Sequence, residues 1–359
     1  MQRITISSLK RIEDVYNLVR DNFLNKRSEF KESNEEFEIR IDDVEIGVIN
    51  MSALTMLTCL LYSVRKHYQF PFIGTLLSQN EELFYVSKRN SSYLKSLGFF
   101  HLTQSLRIIQ WNLPKPIPNE RFNPTTGIDQ LDILQISSNA RVYYSLDGFD
   151  PYDKRLILLE MIKTKNDYTS IDELQLAYED VKTDIKNDIK EFIANPIEDL
   201  FSKIKHGRTL KYNIVSYVSE ILLNSFIHGR EKPFLAIQRT EKLISVSIAD
   251  DGAGLANSYE NLHKQKVNSK EAIIRACEHR KNSSYGLFDV IKSVIGIDKP
   301  SYYSSDGHHG FFTISDGPNI LKISRNNYSK LENGEIIELI HDTGLNIRGV
   351  RITLDILIR

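Results

Sequence analysis

Cysteine is scarce in this chain, since only Cys59 and Cys277 occur among 359 residues. Two cysteines cannot build the disulfide framework of a small secreted domain, and both lie in apolar stretches with a helical pattern. We therefore expect two buried free thiols in a reducing compartment, and predict that the protein is cytoplasmic.

Long apolar runs and an excess of one charge are also missing. The most apolar stretch, residues 44–62, is interrupted by Glu45, Asn50 and two threonines, and residues 1–16 lack the apolar core of a signal peptide. We therefore predict no membrane association. Lys and Arg number 46 against 47 for Asp and Glu, which leaves a net charge of −1. A nucleic-acid partner, which favours a strong basic excess, is not indicated.

Proline is rare except in residues 112–127, which hold four of the ten prolines. Such a density excludes regular helix or a central strand there, so we place a linker in this part of the chain. The length predicts two or three domains. The predicted divisions are an N-terminal domain over 1–111, a linker region over 112–150, a helical connector over 151–205 and a C-terminal domain over 206–359.

The hydrophobic pattern predicts a small N-terminal unit in which helices and strands alternate, followed by a C-terminal domain in which they are grouped. The N-terminal elements are an amphipathic helix over 1–30, a strand over 36–41, a helix over 52–68, a strand over 71–77 and a helix over 91–97. The C-terminal elements are a helix over 210–228, strands near 234–239 and 243–249, a variable loop over 255–268, helices near 269–280 and 286–295, and strands near 310–315, 319–324 and 349–357. Grouping of this kind predicts an α+β two-layer sandwich.

Two short segments of the C-terminal domain carry residues suited to phosphate chemistry. Glu220 and Asn224 are four apart in a helical pattern, so they share one face of the helix. Asn224 offers a neutral oxygen to magnesium, and Glu220 could polarise a water or hydroxyl directed at a phosphate. Asp250 follows a predicted strand and precedes Gly252 and Gly254, which let backbone approach a flat or anionic ligand.

Each segment has an ordinary alternative when it is considered alone. Glu220 could be a surface carboxylate, and Asp250 could belong to a simple turn. Their combination, with a glycine before an apolar helix at Gly286, predicts a nucleotide pocket.

Residues 210–357 resemble the ATP-binding domain of the GHKL superfamily, which includes gyrase, the heat-shock chaperone ATPase, histidine kinases and the mismatch-repair ATPase. The matching segments are Glu220–Asn224 with His228 as the asparagine box, Asp250–Gly254 and Ser284–Leu287 as the two glycine boxes, and Gly349–Leu354 as the closing strand. The resemblance implies the α/β sandwich of the histidine-kinase-like ATPases.

The same resemblance implies ATP and Mg²⁺ as ligands. By it, Asp250 would bind the adenine amino group, and Gly254 would let the base and ribose approach. Asn224 would coordinate magnesium between the phosphates, and Glu220 would orient the attacking water. The other residues implied in nucleotide binding are His228, Gly252, Ser284, Gly286, Leu287 and Thr353.

Residues 36–102 resemble STAS-type domains, the fold of anti-sigma-factor antagonists, in the segments Asn50–Leu54 and Ser91–Phe100. Ser52 lies near the position of the phosphorylatable serine in that family. The alternative for Ser52 is an ordinary helix N-cap.

Together these features predict an ATP-binding regulatory protein with magnesium-dependent ATP hydrolysis and a protein partner, and they leave a homodimer open. Two other functions stay open. One is a serine protein kinase of the anti-sigma type acting on a STAS partner. The other is a non-catalytic, nucleotide-gated interaction module, which is favoured by Ser284 in the place of a family glycine. Val350 stands in the place of a family threonine, a second departure from the pattern.

Overall fold

The computed structural model shows a mixed α+β protein with two β-sheets. It describes residues 2–6, 8–24, 37–41, 49–66, 72–76, 94, 99–111, 135–137, 140–144, 179–191, 193–194, 207–225, 233–239, 243–278, 287–295 and 310–357. Within these ranges, no helix combines the length and the apolar character that crossing a membrane would need.

The first sheet is parallel and comes from the N-terminal part of the chain. Its strands, in spatial order, are β1 (Gln2–Ile6), β2 (Phe37–Ile41), β3 (Phe72–Leu76) and β4 (Ile109–Trp111). The helices of this unit are α1 (Ile12–Val19), α2 (Met51–Lys66) and α3 (Phe99–Ser105). The strand over 36–41 and the helix over 52–68 are confirmed, within two residues at each end.

The single helix predicted over 1–30 is wrong for its first part. Residues 2–6 form β1, where Ile4 and Ile6 alternate into the core and the backbone pairs in parallel with β2. The helical stripe begins only at Ile12, and the turn at Arg20–Leu24 is a π-helix. Five residues before a helix carry too little pattern to separate a strand from a helical extension.

Asn50, and not Ser52, caps α2. The Asn50 side-chain oxygen accepts hydrogen bonds from the backbone N–H groups of Ser52 at 2.9 Å and Ala53 at 3.2 Å. The expected N-cap role of Ser52 is therefore wrong, and its side chain is buried inside the first turn.

The second sheet is antiparallel and has six strands. They are β5 (Gln135–Ser137), β6 (Ala140–Tyr144), β7 (Phe234–Arg239), β8 (Leu243–Ala249), β9 (Gly310–Ser324) and β10 (Ile340–Leu357), in the spatial order β5-β6-β7-β8-β10-β9. The predicted strands over 234–239 and 243–249 are confirmed. The two strands expected over 310–324 are one, because Gly317, at φ +55°, bends the backbone without ending β9.

The linker region predicted over 112–150 is corrected by β5 and β6. These strands lie after its proline-rich part and join the sheet through backbone pairing of β6 with β7. That pairing links segments far apart in the sequence, so no local pattern announces it.

Helices cover one face of the second sheet. They include α4 (residues 179–191), α5 (Gly207–Asn224), α6 (Gly254–His263), α7 (Ser269–Cys277), α8 (Leu287–Val294) and α9 (Tyr328–Glu332). The variable loop predicted over 255–268 is therefore wrong for its first half, which is α6. Apolar residues of this face, such as Ile248 and Ile352, share one core with Ile221 of α5 and Ile189 of α4.

The N-terminal unit covers the opposite face of the second sheet. Helix α2 lies against β7 and β8, and the Tyr62 and Phe234 rings meet edge to face with centroids 5.4 Å apart. Ala236 and Ile347 of this face belong to the same apolar cluster as the first sheet. The order of layers is therefore parallel sheet, helices, antiparallel sheet, helices.

Candidate functional site

Asp250 lies at the end of β8, with only 2% of its surface exposed. One carboxylate oxygen, Oδ1, accepts hydrogen bonds from the backbone N–H groups of Gly252 at 2.8 Å and Val350 at 3.2 Å. The Asp250 N–H donates to the Val350 carbonyl at 2.9 Å. The Ser225 hydroxyl, at the end of α5, also hydrogen-bonds to this carboxylate.

Burial raises the pKa of Asp250 to about 6, against the opposing effects of its hydrogen bonds and of the Arg351 cation. The side chain thus changes charge close to physiological pH. A buried carboxylate with this property, in contact with a helix end, is typical of functional sites.

Helix α5 brings the predicted phosphate-handling residues to Asp250. Asn224 is half-buried in its last turn and directly precedes Ser225, which contacts Asp250. Glu220 lies one turn earlier and is buried. The structure therefore brings Asp250 to the end of the helix that carries Glu220 and Asn224.

Glu220 has a cationic partner that the sequence did not indicate. Its Oε2 lies 2.6 Å from the Nζ of Lys186 on α4. A carboxylate held in this way is neutralised by a neighbouring helix and is not free to act on water in the described conformation.

Gly252 and Gly254, the two glycines after Asp250, have different surroundings in the structure. Gly252 donates its N–H to Asp250, and its carbonyl accepts from Arg348 Nε at 3.0 Å. Gly254, at φ +82°, begins α6, and a Cβ there would lie 2.7 Å from Asp316 Oδ1. The Cβ side of Gly254 is thus occupied by a carboxylate, and the approach of a base and ribose to Gly254 stays a prediction.

Gly349 is required by the backbone packing beside Asp250, which the sequence analysis did not predict. Its φ is +89°, and a Cβ would lie 1.9 Å from the Asp250 carbonyl oxygen. Only glycine permits β10 to come this close to the backbone at Asp250.

Thr353 does not reach the site. In the strand register Thr353 lies opposite Ser247, which lies opposite Ala236. Cross-strand partners share a face of the sheet, and Ala236 packs against the N-terminal unit. Thr353 therefore faces away from α5, a placement that strand register decides, and its role in nucleotide binding stays a prediction.

Of the predicted second glycine box, Ser284–Leu287, only Leu287 belongs to the described residues. Leu287 begins α8, as predicted, and packs half-buried against the helical core. His228, Ser284 and Gly286 lie outside the described residues.

Four residues of the site had no role of their own in the sequence interpretation. They are Lys186, Ser225, Asp316 and Arg351. Asp316 precedes a glycine, as Asp251 does, so the Asp-Gly pattern could have marked it. The other three carry no local signal, because their partners are brought to them by the fold.

The donors present fit magnesium only together with a nucleotide. Among the described residues, no group of three or more His, Cys, Asp or Glu side chains could hold a metal ion. Asn224 supplies one neutral oxygen, and phosphate oxygens and water would complete the octahedron that Mg²⁺ requires.

Comparison with known proteins identifies no relative: no family model, no curated protein and no solved structure matches this chain.

Proposed function

We propose that this protein binds ATP where the end of α5 meets β8 and β10, as a regulatory protein with a GHKL-type nucleotide domain and a STAS-like N-terminal domain. The observation that carries the proposal is the buried Asp250 carboxylate beside Ser225, one residue from Asn224.

The hydrogen-bond pattern of Asp250 supports adenine as the base. The carboxylate already accepts from the N–H groups of Gly252 and Val350 through Oδ1 and from the Ser225 hydroxyl, so it has room for about one further donor. Adenine presents one amino group to such an acceptor, whereas guanine presents two adjacent donors to a carboxylate with both oxygens open. A further donor to this carboxylate would favour binding, because hydrogen bonds to an ionised acceptor are stronger than those between neutral groups.

Hydrolysis would use the residues of α5. The Asn224 amide oxygen would hold the Mg²⁺ that bridges the phosphates, and this ion would neutralise the charge that develops on them. Glu220 would orient the attacking water after its separation from Lys186. The proposed protein partner would respond to the nucleotide state.

The Lys186–Glu220 pair supports a second candidate, a nucleotide-gated interaction module without turnover. At 2.6 Å the ammonium neutralises the only carboxylate proposed to activate water. The third candidate, a serine protein kinase, would require an acceptor on another chain, since Ser52 of this chain is 5% exposed.

Calorimetric titration of ATP with and without magnesium tests the proposal. We expect binding to the natural protein and its loss in Asp250→Asn. Asp355→Asn is the matched control, because Asp355 is another largely buried aspartate bonded to a serine, at Ser245, on the opposite face of the sheet. Equal affinity of the natural protein and Asp250→Asn, or no binding at all, would refute it.

Labelled ATP then separates the three candidates. Hydrolysis releases inorganic phosphate, a kinase places the label on protein, and a gated module retains intact ATP.

A further inference from the structure

Strand β10 has an irregularity just before its pairing with β8. The register of β10 against β9 shifts between Ile347 and Val350. Arg351, on the far side of this bulge, folds back over it. Its Nη1 donates to the carbonyls of Ile347 at 3.2 Å and Gly349 at 3.3 Å, and its Nη2 donates to that of Arg348.

One guanidinium therefore holds three consecutive carbonyls. Arg351 is only 4% exposed, so these hydrogen bonds are shielded from water. A bulge leaves backbone groups without ladder partners, and here a charged donor satisfies them. A lysine ammonium lacks the planar, five-donor geometry of a guanidinium, so it could not bind the three carbonyls in the same way.

The bulge forms one wall of the Asp250 site. Gly349 stands against the Asp250 carbonyl, and the Val350 N–H donates to the Asp250 side chain. Movement of residues 347–349 would therefore change the geometry of the carboxylate proposed to bind adenine.

The Arg351 cation also acts on two buried carboxylates, and these hold the two ends of the 250–255 segment. Asp250 holds its beginning. Asp316 holds its end, because Asp316 Oδ1 accepts from the Leu255 N–H at 3.1 Å. Burial raises the pKa of both aspartates, and the Arg351 cation lowers both.

We propose that Arg351 is the positioning residue of the nucleotide site, which fixes the 347–349 bulge and serves as common counter-ion to Asp250 and Asp316. This inference deepens the proposed function and rests on it for the part that concerns nucleotide. The hydrogen bonds from Asp250 and Asp316 to the 250–255 segment exist without nucleotide, so this part of the inference does not depend on the proposed function.

Two readouts test the inference. We expect Arg351→Met to bind ATP about tenfold more weakly near pH 7, with much of the loss recovered above about pH 8, where Asp250 is ionised without its counter-ion. The charged side chains that the contacts given above place in the Asp250 site are Arg348 and Arg351 of β10, Asp316 of β9, Asp251 beside it and Glu220 of α5. General destabilisation would weaken binding without this pH profile.

Hydrogen exchange of the Gly252 and Leu255 amides is the second readout, and it needs no nucleotide. Both amides should exchange faster in Arg351→Met. Arg351→Lys keeps the charge and loses the fork, so it should show the faster exchange with little change in the pH profile. Arg275→Met is the control, because Arg275 is held by Glu271 on α7 and should affect neither readout.

The outcomes separate the two proposals. If the natural protein binds no ATP, the proposed function fails, while the exchange rates still decide the role of Arg351. If Arg351→Met does not fold, Arg351→Lys provides the exchange test. The inference would be overturned if the Gly252 and Leu255 amides of the folded variants exchanged as slowly as those of the natural protein. It would also be overturned if Arg351→Met lost ATP affinity equally at every pH.

Discussion

The Nζ of Lys186 lies 2.6 Å from Oε2 of Glu220, joining α4 to α5 at a point where the two side chains are 23% and 8% exposed. A pair this well shielded is stronger than a surface ion pair, because little water competes for either charge. It also ties α4 to the carboxylate that would activate water in the proposed function. Any catalytic use of Glu220 is therefore coupled to the position of α4.

A double-mutant cycle should show that this pair stabilises the fold. We expect Lys186→Met and Glu220→Gln each to lower the free energy of unfolding by about 2 kcal/mol, because each removes a charge-assisted contact of 2.6 Å between shielded groups. The double variant should lose less than the sum, with a coupling of about 1 kcal/mol or more in denaturant unfolding. The exposed Lys330–Glu338 pair is the control and should show no measurable coupling. Strict additivity at Lys186 and Glu220 would contradict the geometry.

Asp250 should make the stability depend on pH between about 4 and 6. Burial raises its pKa from 3.8 to about 6 in the folded protein, so the folded state keeps a proton that the unfolded state releases. Stability therefore falls as pH rises through this window and levels off above it. The fall corresponds to about 3 kcal/mol, from a shift of about two pKa units at 1.36 kcal/mol each.

Comparison with Asp250→Asn isolates this effect. Asp316 and Asp355 also have raised pKa values, but they contribute equally to both proteins. The stability of the natural protein relative to the variant should fall from about pH 4 to about pH 6 in denaturant titrations. A difference that stays constant across this range would show that Asp250 ionises normally.

Two glycines with similar backbone angles should respond differently to alanine. Gly349→Ala should lower the free energy of unfolding by more than about 3 kcal/mol, since its Cβ would overlap the Asp250 carbonyl at 1.9 Å. Gly344, at φ +71°, has nothing within 4 Å of its Cβ position. Gly344→Ala should therefore cost only about 1 kcal/mol, the strain of a positive φ. Similar losses at both positions would mean that β10 does not approach Asp250 closely.

The contact between Tyr62 and Phe234 tests whether the N-terminal unit packs on the second sheet. The rings meet edge to face at 5.4 Å between centroids, so a double-mutant cycle to alanine should give a coupling of about 0.5–1.5 kcal/mol. The pair Phe99 and Phe100, which lies within the N-terminal unit, provides the matched aromatic control. Zero coupling between Tyr62 and Phe234, with normal coupling in the control, would refute the layer order.

The regular elements of the C-terminal domain follow from local patterns. The strands over 234–239 and 243–249 coincide with β7 and β8, because β7 is a short apolar run, β8 alternates apolar and polar residues, and both are bounded by polar turn residues. Helix α6 was missed because its first turn is satisfied from outside, by Asp316 of β9. A helix whose cap comes from a distant strand leaves no start signal in its own sequence.

The sequence by itself determined the α+β character, the helix with Glu220 and Asn224, and the placement of Asp250 at a strand end. Spacing and hydrophobic periodicity are local, and these features depend on nothing else. Only the tertiary structure decided the partners: Lys186 on Glu220, Arg351 on Asp250 and Asp316, and Thr353 on the remote face. Strand register and helix packing set those contacts, and both result from the burial of whole faces across the chain rather than from any short segment.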